Sequence, residues 1–222
     1  MTKKNKIVNK EEKKDSKPII LYLIFNLVLP FVLTIALLIM NPKTSQDESV
    51  YASLVLGIIL ALVFLIMYFK KIIDNIKKIN LKMFIFIIVS AIILIVGNDL
   101  LSRLLMSLNV EFNNENNLND MALLYPMTMG IYTVLAAPIM EEFVFRYSLG
   151  SLIKNKIAFI IVSGILFGLL HSTSTDIILY VLVGSFLAAI YIKTNKNIAS
   201  TILIHILNNL IAVLSTIILF IK

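Results

Sequence analysis

The chain contains no cysteine, which removes structural disulfides, thiolate metal sites and a cysteine nucleophile from consideration. It has only two histidines, and charged residues make up just 15% of its 222 positions. A soluble domain carries about 25% charged residues and about 45–50% apolar ones. Here 59% of the residues are hydrophobic and the mean hydropathy is +0.94. A water-soluble domain of this size could not hide that much apolar surface. No stretch is left over for a soluble domain, so nucleic-acid binding and cytosolic enzyme activity are excluded. What the chain does have is a series of apolar stretches from Ile19 to Ile221, each close to the ~20 residues that a bilayer core demands. The fold class they imply is all-α, a polytopic transmembrane helical bundle in the lipid bilayer.

Seven spans fit, near residues 19–40, 50–69, 83–98, 123–145, 157–171, 177–193 and 198–221. Connections are short, so one bundle is expected. It divides into a basic tail at 1–18, scaffold helices one to three with an external loop at 19–120, and helices four to seven at 121–222. The tail carries seven lysines up to Lys17, an order that could mimic a signal peptide. The run Ile19–Met40 is too long for such a segment and no small-residue cleavage site follows it, so it reads as an uncleaved first span behind a solvated tail that touches anionic lipid. With the N-terminus inside, seventeen of the twenty basic residues fall on the cytoplasmic side, leaving Lys43, Arg103 and Lys222 outside. The orientation expected is therefore N-in and C-out. Residues 99–120 form the one sizeable external segment, with a short amphipathic helix at Leu100–Leu108 and an Asn-rich loop at Phe112–Asp120. The excess of Asn, Ile and Lys points to the cell membrane of a low-GC bacterium.

Ionisable groups inside spans are costly and by default mark a site. They cluster in the second half: Glu141, Glu142 and Arg146 on helix four, His171 on helix five, and His205, Asn208 and Asn209 on helix seven. Spans one to three offer only the isolated Asn26 and Thr34. Residues four apart share a helix face, so Glu142 can pair with Arg146, His205 lies above Asn209, and Phe167 can buttress His171. Glu141 is then left without a local cation and is the candidate general base. Depth agrees for two of the helices. Glu141 lies fourteen residues before Asn155 and His171 sixteen after it. At ~1.5 Å per residue both are on the order of 21–24 Å from a turn at Lys154–Lys156, whereas His205 is only about 14 Å, and Asn209 about 20 Å, from a turn near Lys196. Water could enter beside the polar run Ser172–Asp176 or at a kink made by Pro138. Gly164 and Gly168, with Gly184 and Ala188, read as close-packing surfaces between helices five and six.

A carboxylate and an imidazole can hold and deprotonate a water, while a second imidazole and an Asn amide can donate to a tetrahedral oxyanion. Alternatively, Glu141, His171 and His205 could ligate a divalent metal such as Zn²⁺. Other intramembrane chemistries lack their residues. HExxH is absent, there is no GxGD-type aspartate or intramembrane Asp pair, and Ser163 lacks the preceding glycine of a rhomboid-type serine. A solute transporter would call for an inverted repeat, which is not evident. A non-catalytic membrane scaffold or bacteriocin-immunity protein that binds a peptide or partner stays open as the alternative.

Three motifs fall in order on apolar helices: Glu141-Glu142-x-x-x-Arg146, Phe167-x-x-x-His171 and His205-x-x-x-Asn209. Together they resemble those of the CPBP family, the CAAX proteases and bacteriocin-processing or immunity proteins also called Abi, over roughly residues 121–215. The resemblance implies an intramembrane peptidase, often labelled a metalloprotease although that label is disputed, acting on a membrane-associated or exported peptide or protein. It makes Glu141 and His171 the water activators, His205 and Asn209 the oxyanion hole, and Glu142 and Arg146 supports of the site. One departure is the lack of an eighth span after the His-x-x-x-Asn helix. The absence of native cysteine makes the topology directly testable. Asn116→Cys is expected to react with a membrane-impermeant maleimide in intact cells, and Lys154→Cys only after permeabilisation; the reverse pattern would invert the orientation.

Overall fold

The computed structural model describes residues 14–40, 46–110, 124–172 and 175–221. Among these the backbone forms seven helices and no strand. They are α1 Lys17–Met40, α2 Gln46–Ile76, α3 Leu81–Ser107, α4 Pro126–Leu152, α5 Lys156–His171, α6 Ile177–Lys193 and α7 Ile198–Ile221. All but α5 and α6 are long and apolar enough to cross a bilayer, and those two are apolar helices of 16 and 17 residues. The protein is an all-α membrane bundle. Large apolar side chains such as Phe31, Ile66 and Leu81 face outward, as they must when hydrocarbon is the solvent.

Three helices outrun the expected spans. Nothing between Gly97 and Ser107 breaks a helix, and Asp99 and Arg103 pair across one turn at 2.9 Å, so most of the segment Leu100–Leu108 is the continuation of α3 rather than a separate amphipathic helix. The left-handed Asn109 then stops it, with Val110 N–H closing back onto Leu105 O. The Asn-rich loop at 112–120 lies outside the described residues.

Helix starts are set by asparagine. The Asn80 side chain caps α3 by accepting from Met83 N–H, and that of Asn155 caps α5 by accepting from Ile157 and Ala158 N–H. Asn197 accepts from Ser200 N–H at the start of α7, while Asn75 at the end of α2 takes Ile198 N–H on its own side-chain oxygen. Its backbone carbonyl accepts from Asn197 Nδ2. The tight turn before α7 uses the left-handed Asn195 and Lys196, and Lys196 Nζ reaches Gly150 O near the end of α4. The start of α7 is thus tied beside Gly150 and not beside Asn155. His205 comes within 3.7 Å of Glu141, so α7 enters the bundle deeper than a turn level with Lys154–Lys156 would allow.

Helix α4 is fixed from two sides. Phe143 and Tyr147 interleave with Phe64 and Tyr68 of α2, with Phe143 stacked on Tyr68 at 4.7 Å. The Tyr68 and Tyr147 hydroxyls both donate to the Asp15 carboxylate, and Ser148 donates to the Asp15 carbonyl. The residue just ahead of α1 therefore closes this end of α4. On the other side α5 and α6 form a tight hairpin whose seam is made of glycine. A Cβ on Gly164 would lie 2.0 Å from Ser185 Oγ and 2.8 Å from the Val181 carbonyl, and one on Gly184 would lie 2.7 Å from Phe167 Cβ. Gly184→Ala is expected to lower stability by about 1–3 kcal/mol through this overlap. Gly97→Ala, where a Cβ would meet nothing within 4 Å, is expected to be neutral. Thermal unfolding in detergent micelles would show the difference.

Candidate active site

Helix α4 carries two wide π-helical turns, Tyr132–Ala136 and Glu142–Ser148, on either side of the segment Ala137–Glu141. Pro138 explains the first. In a π turn each carbonyl pairs five residues ahead, as Tyr132 O does with Ala137 N–H. The next carbonyl, Thr133 O, would then face Pro138, which has no N–H to give. It accepts instead from Asn209 Nδ2 of α7 at 2.9 Å. The expected kink at Pro138 is thus a widened turn that frees one carbonyl for a neighbouring helix.

Glu141 and Glu142 follow directly, and both carboxylates are buried, 6% and 0% exposed. Glu141 Oε1 lies 3.6 Å from His171 Nε2, and its Oε2 lies 3.7 Å from His205 Nε2. Glu142 Oε2 faces Arg146 Nε at 3.3 Å, as the spacing implied, while its Oε1 meets His205 Nδ1 at 3.0 Å. The second contact is new. Sequence reasoning kept Glu142 with Arg146 alone, yet the two adjacent carboxylates grip His205 from its two nitrogens. His205, not Asn209, is level with Glu141, because α7 starts deeper than its distance from the turn near Lys196 implied.

Each imidazole is aimed by its Nδ1. That of His171 is hydrogen-bonded to Phe167 O at 2.8 Å, so Nε2 is left toward Glu141. Its ring lies between two aromatic faces, Phe167 at 4.2 Å and Tyr180 of α6 at 5.1 Å, both nearly parallel to it. Phe167 buttresses the ring as expected; Tyr180 was missed. An antiparallel hairpin from His171 to Ile177 places Tyr180 one turn into α6, back alongside His171, and that register was the available signal. Arg146 is fully buried, its guanidinium over the Phe167 ring at 4.9 Å and its Nη2 donating to Gly184 O at 3.2 Å.

Asn209 is held through a row of amides. Asn98 Nδ2 of α3 donates to Asn208 Oδ1, and Asn208 Nδ2 to Asn209 Oδ1, both at 3.1 Å. Asn26 donates to Tyr22 O within α1 and takes no part. Of the run Ser172–Asp176, expected as a water entrance, the two ends are buried and the Ser172 hydroxyl donates to the Asp176 carboxylate; residues 173 and 174 lie outside the described residues.

Glu141 Oε2 is buried without a hydrogen-bond partner, the kind of atom a metal could claim. Among the described residues, however, no group of three or more His, Asp and Glu side chains is arranged to hold a metal ion. Glu141, His171 and His205 are not arranged as such a group.

Residues 123–211 match the model of a family described as type II CAAX prenyl endopeptidase Rce1-like. The stretch takes in Glu141, Glu142, Arg146, Phe167, His171, His205 and Asn209. The chain is also similar to an uncharacterized protein of Mycoplasma capricolum subsp. capricolum, 30% identical over 195 residues, covering 78% of this chain and 57% of the relative. The chain thus spans little more than half the length of that protein. No solved structure matches.

Removing one member of a fully buried ion pair costs on the order of 3–5 kcal/mol, because the other charge is stranded. Arg146→Leu is expected to destabilise by about that much. The double variant Glu142→Gln, Arg146→Leu is expected to be less destabilised than Arg146→Leu alone. Equilibrium unfolding in micelles measures both, and simple additivity of the two single effects would overturn the pairing.

Proposed function

Because residues 123–211 match the model of the Rce1-like family of type II CAAX prenyl endopeptidases, we propose that the protein is an intramembrane endopeptidase that hydrolyses a membrane-associated or exported peptide or protein with activated water. The observation that carries this reading is the meeting of one buried carboxylate, Glu141, with both histidines of the chain at 3.6 and 3.7 Å. Glu141 Oε1 and His171 Nε2 are spaced so that one water can bond to both. Glu141 takes a proton from that water as its oxygen attacks the scissile carbonyl carbon. The negative charge that develops on the carbonyl oxygen is met by His205 Nε2–H and by the Asn209 amide. The His205 ring thus faces Glu142 with Nδ1 and the oxyanion with Nε2. Collapse of the tetrahedral species breaks the C–N bond, and the proton held by Glu141 passes to the departing amine.

Glu142, Arg146 and Phe167 act as supports in this scheme. Glu142 orients His205, Arg146 balances the second carboxylate, and Phe167 fixes the His171 ring. His171, with 22% of its side chain exposed against 8% or less for Glu141, Glu142, Arg146 and His205, marks the side from which water and peptide arrive. The chain is taken to lie in a bacterial cell membrane with its N-terminus cytoplasmic.

The test compares membrane-fraction and secreted peptides from host cells carrying wild type or Glu141→Ala at matched protein abundance. A defined precursor is expected to accumulate in the variant while its cleaved product falls by at least about 100-fold, the scale of losing a principal catalytic group. A product that persists at the wild-type level overturns the protease reading. If deletion of the whole protein still has a phenotype, a peptide-binding scaffold or immunity protein takes its place.

A further inference from the structure

The row Asn98–Asn208–Asn209 has a direction. Every side-chain nitrogen in it donates toward α4: Asn98 to Asn208, Asn208 to Asn209, and Asn209 to Thr133 O. An asparagine amide has an acceptor end and a donor end of nearly the same shape, and only the donor end can stabilise an oxyanion. Thr133 O can only accept, so it selects the NH₂ end of the Asn209 amide. Asn208 donates to the Asn209 oxygen, a second contact that holds the NH₂ group on the α4 side. One N–H of that group goes to Thr133 O, the carbonyl that the widened turn at Pro138 leaves open, and a second N–H remains on the same nitrogen. Asn208 has the same ambiguity, and Asn98 resolves it by donating to its oxygen.

We propose that Asn98 and Asn208 are positioning residues that lock the Asn209 amide with its donor end toward the reacting carbonyl. The inference rests on the reading of Asn209 as an oxyanion donor. It assigns a role in the reaction to α3, which lies outside the matched stretch 123–211. Asn98 is only partly buried, so a longer amide can be accommodated there.

The experiment uses the full chain in proteoliposomes with a fluorogenic farnesylated CAAX-type peptide as probe. Asn98→Leu is expected to lower kcat about five- to tenfold, the scale of one hydrogen bond, with KM unchanged. Asn98→Gln, which restores a donor, is expected to recover most of that loss. In an Asn209→Ala background, adding Asn98→Leu is expected to change kcat less than twofold, since its effect runs through Asn209. An unchanged kcat in Asn98→Leu, or a full further loss in the Asn209→Ala background, overturns the inference. A second measurement needs no turnover. In protein labelled with ¹⁵N-asparagine, the Asn209 side-chain amide peaks, identified by their loss in Asn209→Asp, are expected to shift or broaden in Asn98→Leu and to return toward their wild-type position in Asn98→Gln. Peaks that stay fixed in Asn98→Leu overturn the relay even if the probe is not cleaved. Full turnover in Glu141→Ala defeats the parent mechanism instead, and the amide peaks still judge the relay.

Discussion

The arrangement depends on His205 being held by two adjacent carboxylates. Glu141 and Glu142 are neighbours in sequence on one helix, yet they reach opposite nitrogens of one ring on another. That can happen only if α7 presents His205 level with the pair and between them. The level is set far from the site, where Lys196 reaches Gly150 O and Asn75 takes the first N–H of α7. The rotation of α4 is set by the Phe64, Tyr68, Phe143 and Tyr147 rings and by Asp15 beyond them. Each of these contacts is ordinary on its own. Together they decide whether the histidine meets both carboxylates or neither.

Backbone irregularity is part of the same construction. Nonstandard turns survive at membrane depth only where protein re-satisfies the freed groups. The first π turn of α4 meets that condition through Asn209, and so the defect that Pro138 introduces becomes the anchor point for α7. The second π turn begins at Glu142 and contains Arg146, which still pairs with it at 3.3 Å. Two wide turns on either side of Ala137–Glu141 let one helix aim the consecutive Glu141 and Glu142 at partners on α5 and α7.

Much of this was legible from spacing. The rarity of ionisable residues inside apolar spans singled out Glu141, His171 and His205 without any knowledge of packing, because hydrocarbon makes each of them expensive. Four-residue spacing identified the Glu142–Arg146 pair and the Phe167–His171 stack. What spacing could not reach was anything that crosses between helices. The grip of Glu142 on His205 needs the relative rotation of α4 and α7. Tyr180 is an unremarked residue in an apolar run until the α5–α6 hairpin folds it back over His171. Asn98 sits in the last turn assigned to the third span, where a polar residue reads as the membrane edge, and only the length of α3 shows that the helix continues past it. The depth of α7 was misjudged because helical rise measures distance from a turn and says nothing about how deep the turn itself lies.

The charge at the centre depends on the absence of a side chain at the seam. Arg146 is fully buried, and beyond Glu142 its hydrogen-bond partner is the backbone carbonyl of Gly184 at 3.2 Å. A carbonyl on one transmembrane helix can reach a guanidinium on another only where the two backbones approach closely, and Gly184 lies against Phe167 and Gly164 with no room for even a methyl group. The same glycine therefore lets α6 close on α5, seats the ring that lies under the Arg146 guanidinium and supplies an acceptor to that guanidinium. Any residue with a Cβ would push α6 outward and withdraw the carbonyl, and Tyr180 on the same helix would retreat from His171. Close packing of small residues and the survival of a buried cation are thus one requirement here, and the orientation of the partly buried His171 follows from it.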